Sequence, residues 1–129
     1  GVRMGIERYN LDIAARVEEG RTAANERMAA VFDKTDFIIC ASNPDIAFPA
    51  YIESNTRVAG EKAPAGNNGA LTIPANISGN PAISVPAGLV DGMPVGVQII
   101  GVQHSDRAIL DLAHLWEQHN PWPLTAPTS

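Results

Sequence analysis

The sequence predicts an α/β fold, which becomes α+β if its strands pair mainly antiparallel. Three observations carry that reading. Apolar residues recur at helical spacing near both ends of the chain. Short continuous apolar runs, too short for stable helices, lie between them. A Pro- and Gly-rich middle without periodicity separates the first strand from the rest.

Taken in order, Asn10 can cap a helix in which Leu11, Ala14 and Ala15 follow helical spacing, and Gly20 is a plausible stop. Thr22 can cap a second helix with Ala24, Met28, Val31 and Phe32 on one face. Residues 36–41, Asp-Phe-Ile-Ile-Cys-Ala, read as a buried strand covered on both faces. From residue 42 to 69 turn signals crowd together: Asn43-Pro44-Asp45, Phe48-Pro49, Ala63-Pro64 and Gly66-Asn67-Asn68-Gly69. An irregular stretch of that length inside a domain tends to be functional or mobile. Residues 72–79 suit either a short helix broken at Pro74 or an irregular segment. Residues 83–85 and 95–100 are expected to be neighbouring strands joined through the turn Asp91-Gly92. Gly96 marks a place where a backbone or ligand approaches closely. Ser105 is expected to cap a last helix carrying Ile109, Leu112, Ala113 and Trp116 on one stripe and ending near Asn120-Pro121.

Composition bounds the function. At 129 residues there is room for one domain. Fourteen acidic against nine basic residues give a net charge of −5, which argues against a nucleic-acid binder. No apolar run approaches the roughly 18 residues needed to cross a bilayer, and no secretory signal pattern is seen. Cys40 is the only cysteine, which excludes an internal disulfide and a multi-cysteine metal site. Cytoplasmic residence is the expectation. Ten Pro, eleven Gly and only seven aromatic residues suggest a middle better suited to being wrapped by other protein than to standing alone. This is the composition of a fragment.

No generic catalytic set is complete. A helical zinc pair needs spacing of four, but the closest histidines, His114 and His119, lie five apart and so about 140° around the helix. Neither metal nor cofactor is expected. Ser42, Ser54, Ser78, Ser84 and Ser105 are available as hydroxyls, but none sits in a Gly-x-Ser-x-Gly elbow. Ser84 reads as an ordinary strand residue and Cys40 as a structural thiol. The Gly-Asn-Asn-Gly turn lacks the Lys and Ser/Thr of a phosphate loop.

Residues 71–88 read Leu-Thr-Ile-Pro-Ala-Asn-Ile-Ser-Gly-Asn-Pro-Ala-Ile-Ser-Val-Pro-Ala-Gly, and residues 92–101 read Gly-Met-Pro-Val-Gly-Val-Gln-Ile-Ile-Gly. This pair resembles the C-terminal part of the amidase signature family, which typically reads "Asn-Leu-Ala-Gly-x-Pro-Ala-Ile-Ser-Val-Pro-x-Gly" and then "Gly-Leu-Pro-Val-Gly-Leu-Gln-Leu-Ile-Gly". Asp36-Phe37-Ile38-Ile39 is similar to an earlier strand of that family, residues 105–117 to its last helix, and Pro121-Trp122-Pro123-Leu124 to the tail of some bacterial amidases. Asn80 departs from the pattern, standing where Leu or Val is usual.

The resemblance implies that residues 1–129 are the C-terminal portion of an amidase domain: part of a mixed β-sheet covered by helices, without the catalytic N-terminal portion. Enzymes of this family hydrolyse carboxylic amide C–N bonds with a Ser-Ser-Lys triad that maps onto nothing here, so the chain alone is expected to be inactive. The implied partners are a small-molecule amide and the N-terminal portion of the same enzyme. By register with the family's acyl pocket, the implied substrate-binding residues are Gly69, Thr72, Ile73 and Asn76, although Thr72 and Asn76 can equally serve backbone groups at a kinked segment. The family's transamidation subunits carry Asn-Asp where this chain has Asn68-Gly69, the Asp holding glutamine's amino group. Without that carboxylate a charged amino group has no ion-pair partner, and a neutral amide is favoured. The alternatives are such a transamidation subunit or a non-catalytic α/β interaction domain.

Overall fold

The computed structural model describes residues 9–64 and 66–123. Leu124, the last residue of the tail resemblance, lies outside them. The chain runs α1 (Leu11–Phe32), β1 (Phe37–Ala41), β2 (Arg57–Val58), β3 (Glu61–Lys62), a 3-10 turn (Asn67–Gly69), α2 (Ile73–Ser78), β4 (Ala82–Val90), β5 (Met93–Gly101) and α3 (Asp106–His119). Helices and sheet give the α/β class.

The first helix is longer than the sequence reading expects. Asn10 does cap it, its side-chain oxygen accepting from the Ile13 N–H at 2.9 Å. Gly20 does not stop it, and Thr22 lies inside it rather than capping a second helix. A glycine ends a helix by taking the left-handed conformation, and Gly20 is not among the positive-φ glycines. Inside the helix it costs only about 1 kcal/mol relative to alanine, too little to break a run of good helix formers. Ala24, Met28 and Phe32 on the expected face are half-buried, Val31 is exposed, and α1 packs against α2.

The main sheet has the order β1–β5–β4, and each pairing is antiparallel, the arrangement for which the sequence reading reserves α+β. The β4–β5 turn forms as expected. Asp91 and Gly92 both have positive φ, 50° and 76°, as a two-residue type I′ turn requires. Ile83 then faces Ile99 and Val85 faces Val97. Gly88, at φ 102°, accompanies a shift of register between Pro86 and Leu89. The expectation that β1 is covered on both faces is not met. It is an edge strand, and Ile39 is 61% exposed because no element of the described chain lies over it.

β5 is the hub. Its odd-numbered residues point to α3, where Val85, Ile99, Ile109 and Ala113 form a buried cluster edged by Phe37, Ile83, Val97, Leu112, Trp116 and Trp122. The expected stripe of α3 is therefore the face that packs. Ser105 does not cap α3 with its side chain; its hydroxyl donates instead to the Val102 carbonyl at 2.6 Å. Gly101 must be glycine: a Cβ there would collide with Ser105 Oγ and sit 2.8 Å from Ile109 Cγ2.

Between Ala41 and α2 the chain is mostly irregular, as expected, but it contains the small β2–β3 hairpin and the 3-10 turn. Pro74 does not break α2. It stands in the first turn, where its missing N–H has no intrahelical partner to lose, so no helical hydrogen bond is sacrificed. Gly79, at φ 67°, closes the helix in the left-handed conformation.

Ile99 is 1% exposed at the centre of the cluster. Ile99→Ala is expected to lower stability by about 2–5 kcal/mol through lost transfer energy and a residual cavity. Denaturant unfolding of wild type and variant measures this, and a change below about 0.5 kcal/mol would contradict the register of β5.

Candidate functional site

The face of β5 away from α3 carries Gly96, Gln98 and Ile100, and residues 67–79 cross in front of it. The crossing begins where Gly66 turns left-handed, at φ 77°, and the chain closes the 3-10 turn with the Ala70 N–H on the Asn67 carbonyl at 2.9 Å. Asn67 is buried. Its side-chain amide donates to the Asn55 carbonyl at 2.7 Å and to the Pro64 carbonyl at 3.1 Å, tying the irregular loop to the turn.

The four sequence-predicted residues fall on one short stretch. Gly69 ends the 3-10 turn, and Thr72 is the N-cap position of α2. The Thr72 hydroxyl donates to the Gly69 carbonyl at 3.3 Å, which is the alternative, backbone-serving role. Ile73 folds back on Gly69, where an added Cβ would lie 3.0 Å from Ile73 Cδ1. Gly69 is thus a matter of close approach and not of positive φ. Ile73 and Asn76 are both exposed on α2, Ile73 to 48%.

Beside this stretch opens a cleft of about 660 Å³, lined by β5 from Pro94 to Val97 and by the loop carrying Asn43, Phe48, Asn55, Asn67 and Asn68. Gly69, Thr72, Ile73 and Asn76 adjoin it in the chain but are not among its lining residues. Its walls are apolar residues and neutral carboxamides, with Asp45 the one ionisable lining residue; Asp45 Oδ1 accepts from the Ile46 N–H at 2.8 Å. Such a surface suits an uncharged ligand with a few hydrogen-bonding groups. In the sequence Asn43, Phe48, Asn67 and Asn68 stand only as turn signals and Asn55 is not singled out, because their convergence depends on folding of the loop.

Gly96 is approached by two hydroxyls. Ser42 Oγ and Ser84 Oγ hydrogen-bond to one another over it, and a Cβ at Gly96 would be 2.8 Å from each. Ser84 is therefore more than an ordinary strand residue, although among the described residues no hydrogen bond joins either hydroxyl to a lysine or histidine. Lys34 and Lys62 are exposed, as are His104, His114 and His119. Cys40 is half-buried, 3.4 Å from Gln98 Nε2. Asn80, the departure from the family pattern, donates its amide to the Gly101 carbonyl at 2.8 Å and so fastens the end of α2 to the end of β5. Among the described residues no group of three or more His, Cys, Asp or Glu could hold a metal, and no helix is long and apolar enough to cross a membrane.

Asn67→Ala would leave two carbonyls without their donor. A loss of about 1–3 kcal/mol in denaturant unfolding is expected. An unchanged midpoint would mean that the turn is held by its backbone bonds alone.

Residues 5–110 match the model of the family described as Amidase. Among curated relatives, a glutamyl-tRNA(Gln) amidotransferase subunit from Dehalococcoides mccartyi is 33% identical over 112 residues, covering 87% of this chain but 22% of its own length. Among solved structures, a bacterial aryl acylamidase of the amidase signature family superposes with a TM-score of 0.80 at 27% identity, over 92% of this chain and 25% of that one. The corresponding glutamyl-tRNA(Gln) amidotransferase subunit from Thermotoga maritima gives 0.68 at 28% identity, over 98% and 29%. The chain thus spans about a fifth to a third of the length of these proteins.

Proposed function

Since the chain belongs to the Amidase family, whose members act on amide C–N bonds, we propose that it is the C-terminal portion of a cytoplasmic amidohydrolase for neutral carboxylic amides. In this reading the Ser-Ser-Lys machinery resides in the N-terminal portion of the same enzyme. There a serine attacks the amide carbonyl, the amine departs with a proton, and water cleaves the acyl-enzyme. The present chain completes the sheet and supplies a wall of the acyl pocket. Gly69 lets Ile73 close in on the turn, Ile73 offers apolar contact, and Thr72 and Asn76 offer polar groups.

The observation that carries the choice of a neutral amide is Gly69 itself. It presents no carboxylate, and its tight approach to Ile73 leaves an apolar surface at the place where the transamidation subunits have Asp. The adjacent cleft, apolar and carboxamide-lined apart from Asp45, has one carboxylate in its wall, and that carboxylate accepts a hydrogen bond from the Ile46 N–H. The 33% identity to a transamidation subunit favours a second reading, in which the chain belongs to such a subunit. Backbone similarity of that kind extends over most of the chain, whereas amino-group recognition depends on a carboxylate at one position. The interaction-domain alternative is disfavoured by the outer edges of β1 and β4, which pair with no strand among the described residues, and by exposed Ile39 and Leu89.

The isolated 129-residue chain should not turn over simple aliphatic or aromatic amides. Turnover that survives repurification and vanishes when one of its own serines is replaced would overturn the division of labour.

In the complete enzyme, Gly69→Asp should lower kcat/KM for a neutral amide by about 10-fold or more, because an unpaired carboxylate beside apolar substrate is costly. An amide bearing a positive amino group near the scissile carbonyl should lose less, or gain. Gly69→Ala is the control for bulk, since only the flexible end of Ile73 must yield. If Asp and Ala change both substrates by one factor, Gly69 is a backbone requirement and the pocket assignment fails.

A further inference from the structure

We infer that Gln98 is a positioning residue: its buried carboxamide sets where residues 69–78 lie on the sheet. The inference rests on the reading of that stretch as a substrate wall. Gln98 stands in the central strand, level with Cys40 on one side and Ser84 on the other, and is 4% exposed. From there Nε2 donates to the Leu71 carbonyl at 2.9 Å, just ahead of Thr72 and Ile73.

Apolar packing holds the wall only in part: Ala75 is buried, Leu71 is half-buried and α1 packs against α2, but Ile73 and Ile77 remain 48% and 40% exposed. Its trailing end has two ties: Gln103 Nε2 donates to the Ser78 carbonyl at 2.6 Å, and Asn80 Nδ2 to the Gly101 carbonyl at 2.8 Å. At the leading end Gln98 is the side chain that links the stretch to the sheet. A buried carboxamide is also a poor choice for stability alone. Burying it costs free energy unless it is bonded, whereas Leu or Met would fill the same place without that cost. What the amide adds is direction, since a hydrogen bond constrains distance and angle where apolar contact does not.

The test uses the complete enzyme with Gln98→Met, which keeps the volume and loses the donor. Gln98→Asn, one methylene too short to reach Leu71, serves as the second variant. Backbone amide exchange is read at residues 71–78 with the β5 amides as internal reference, and KM and kcat are read on a neutral amide. Loss of one hydrogen bond should speed exchange of the stretch about 3- to 10-fold relative to β5. KM should rise by a similar factor with kcat within about twofold, the pattern of lost substrate positioning. Exchange unchanged in both variants, or sped equally in β5, would overturn the inference, the latter making Gln98 merely a core residue. A fall in kcat at constant KM would also overturn it. Faster exchange of the stretch with both kinetic constants unchanged would keep the positioning role and remove the substrate-wall reading instead.

Discussion

The register of β5 is the constraint on which the rest of this chain depends. Val97 and Ile99 point to α3, while Gly96, Gln98 and Ile100 point the other way and Gln98 bonds to the crossing segment, so one strand serves a hydrophobic core and a polar attachment surface at once. Side chains alternate with period two, so a slip of one residue would put Gln98 into the α3 cluster and Ile99 under the wall. The Asp91-Gly92 turn prevents that slip. Its two positive-φ residues fix a two-residue loop whose twist matches the strands, and the pairings of Val85 with Val97 and Ile83 with Ile99 follow.

From this register the close approaches follow as well. Gly96 lies where Ser42 from the end of β1 and Ser84 from β4 meet above the central strand, and any side chain would push them apart. Gly101 lies where α3 starts, and the bond from its N–H to the Pro81 carbonyl closes the end of the hairpin. The two glycines mark opposite faces of one strand. Each lets a second element come nearer than alternating side chains would permit.

The parts legible in the sequence are those governed by local rules. The hairpin is readable because Asp-Gly between apolar runs has few other solutions, and α3 because its apolar stripe is regular. Gly20 misleads because a glycine stops a helix only when the following chain can exploit a left-handed turn, which is a tertiary matter. Pro74 misleads in the same direction, since its effect depends on whether it falls in the first turn or later. The cleft is not legible. Asn43, Asn67 and Asn68 look individually like turn formers, Asn55 carries no signal of its own, and their convergence is fixed by long-range bonds such as that from Asn67 to the Asn55 carbonyl. The stretch from Gly69 to Asn76 stands out through family resemblance, not through any periodicity of its own.

Similarity of backbone and recognition of substrate are therefore separable in this fold. The likeness to both an acylamidase and a transamidation subunit extends over 92% and 98% of this chain, a backbone held by apolar burial and main-chain bonds that are indifferent to the substrate. If the stretch is the acyl-pocket wall we propose, one carboxylate at the edge of the 3-10 turn would discriminate a charged from a neutral amide. Placing Asp there would not disturb the sheet, since Gly69 has an ordinary φ and meets only the flexible end of Ile73. It would change the electrostatic character of the wall, because a desolvated carboxylate demands a cation. On the proposed reading, the charge at this one position would choose between neutral and amino-bearing amides, while the strand register and the buried amide of Gln98 would leave the wall in place.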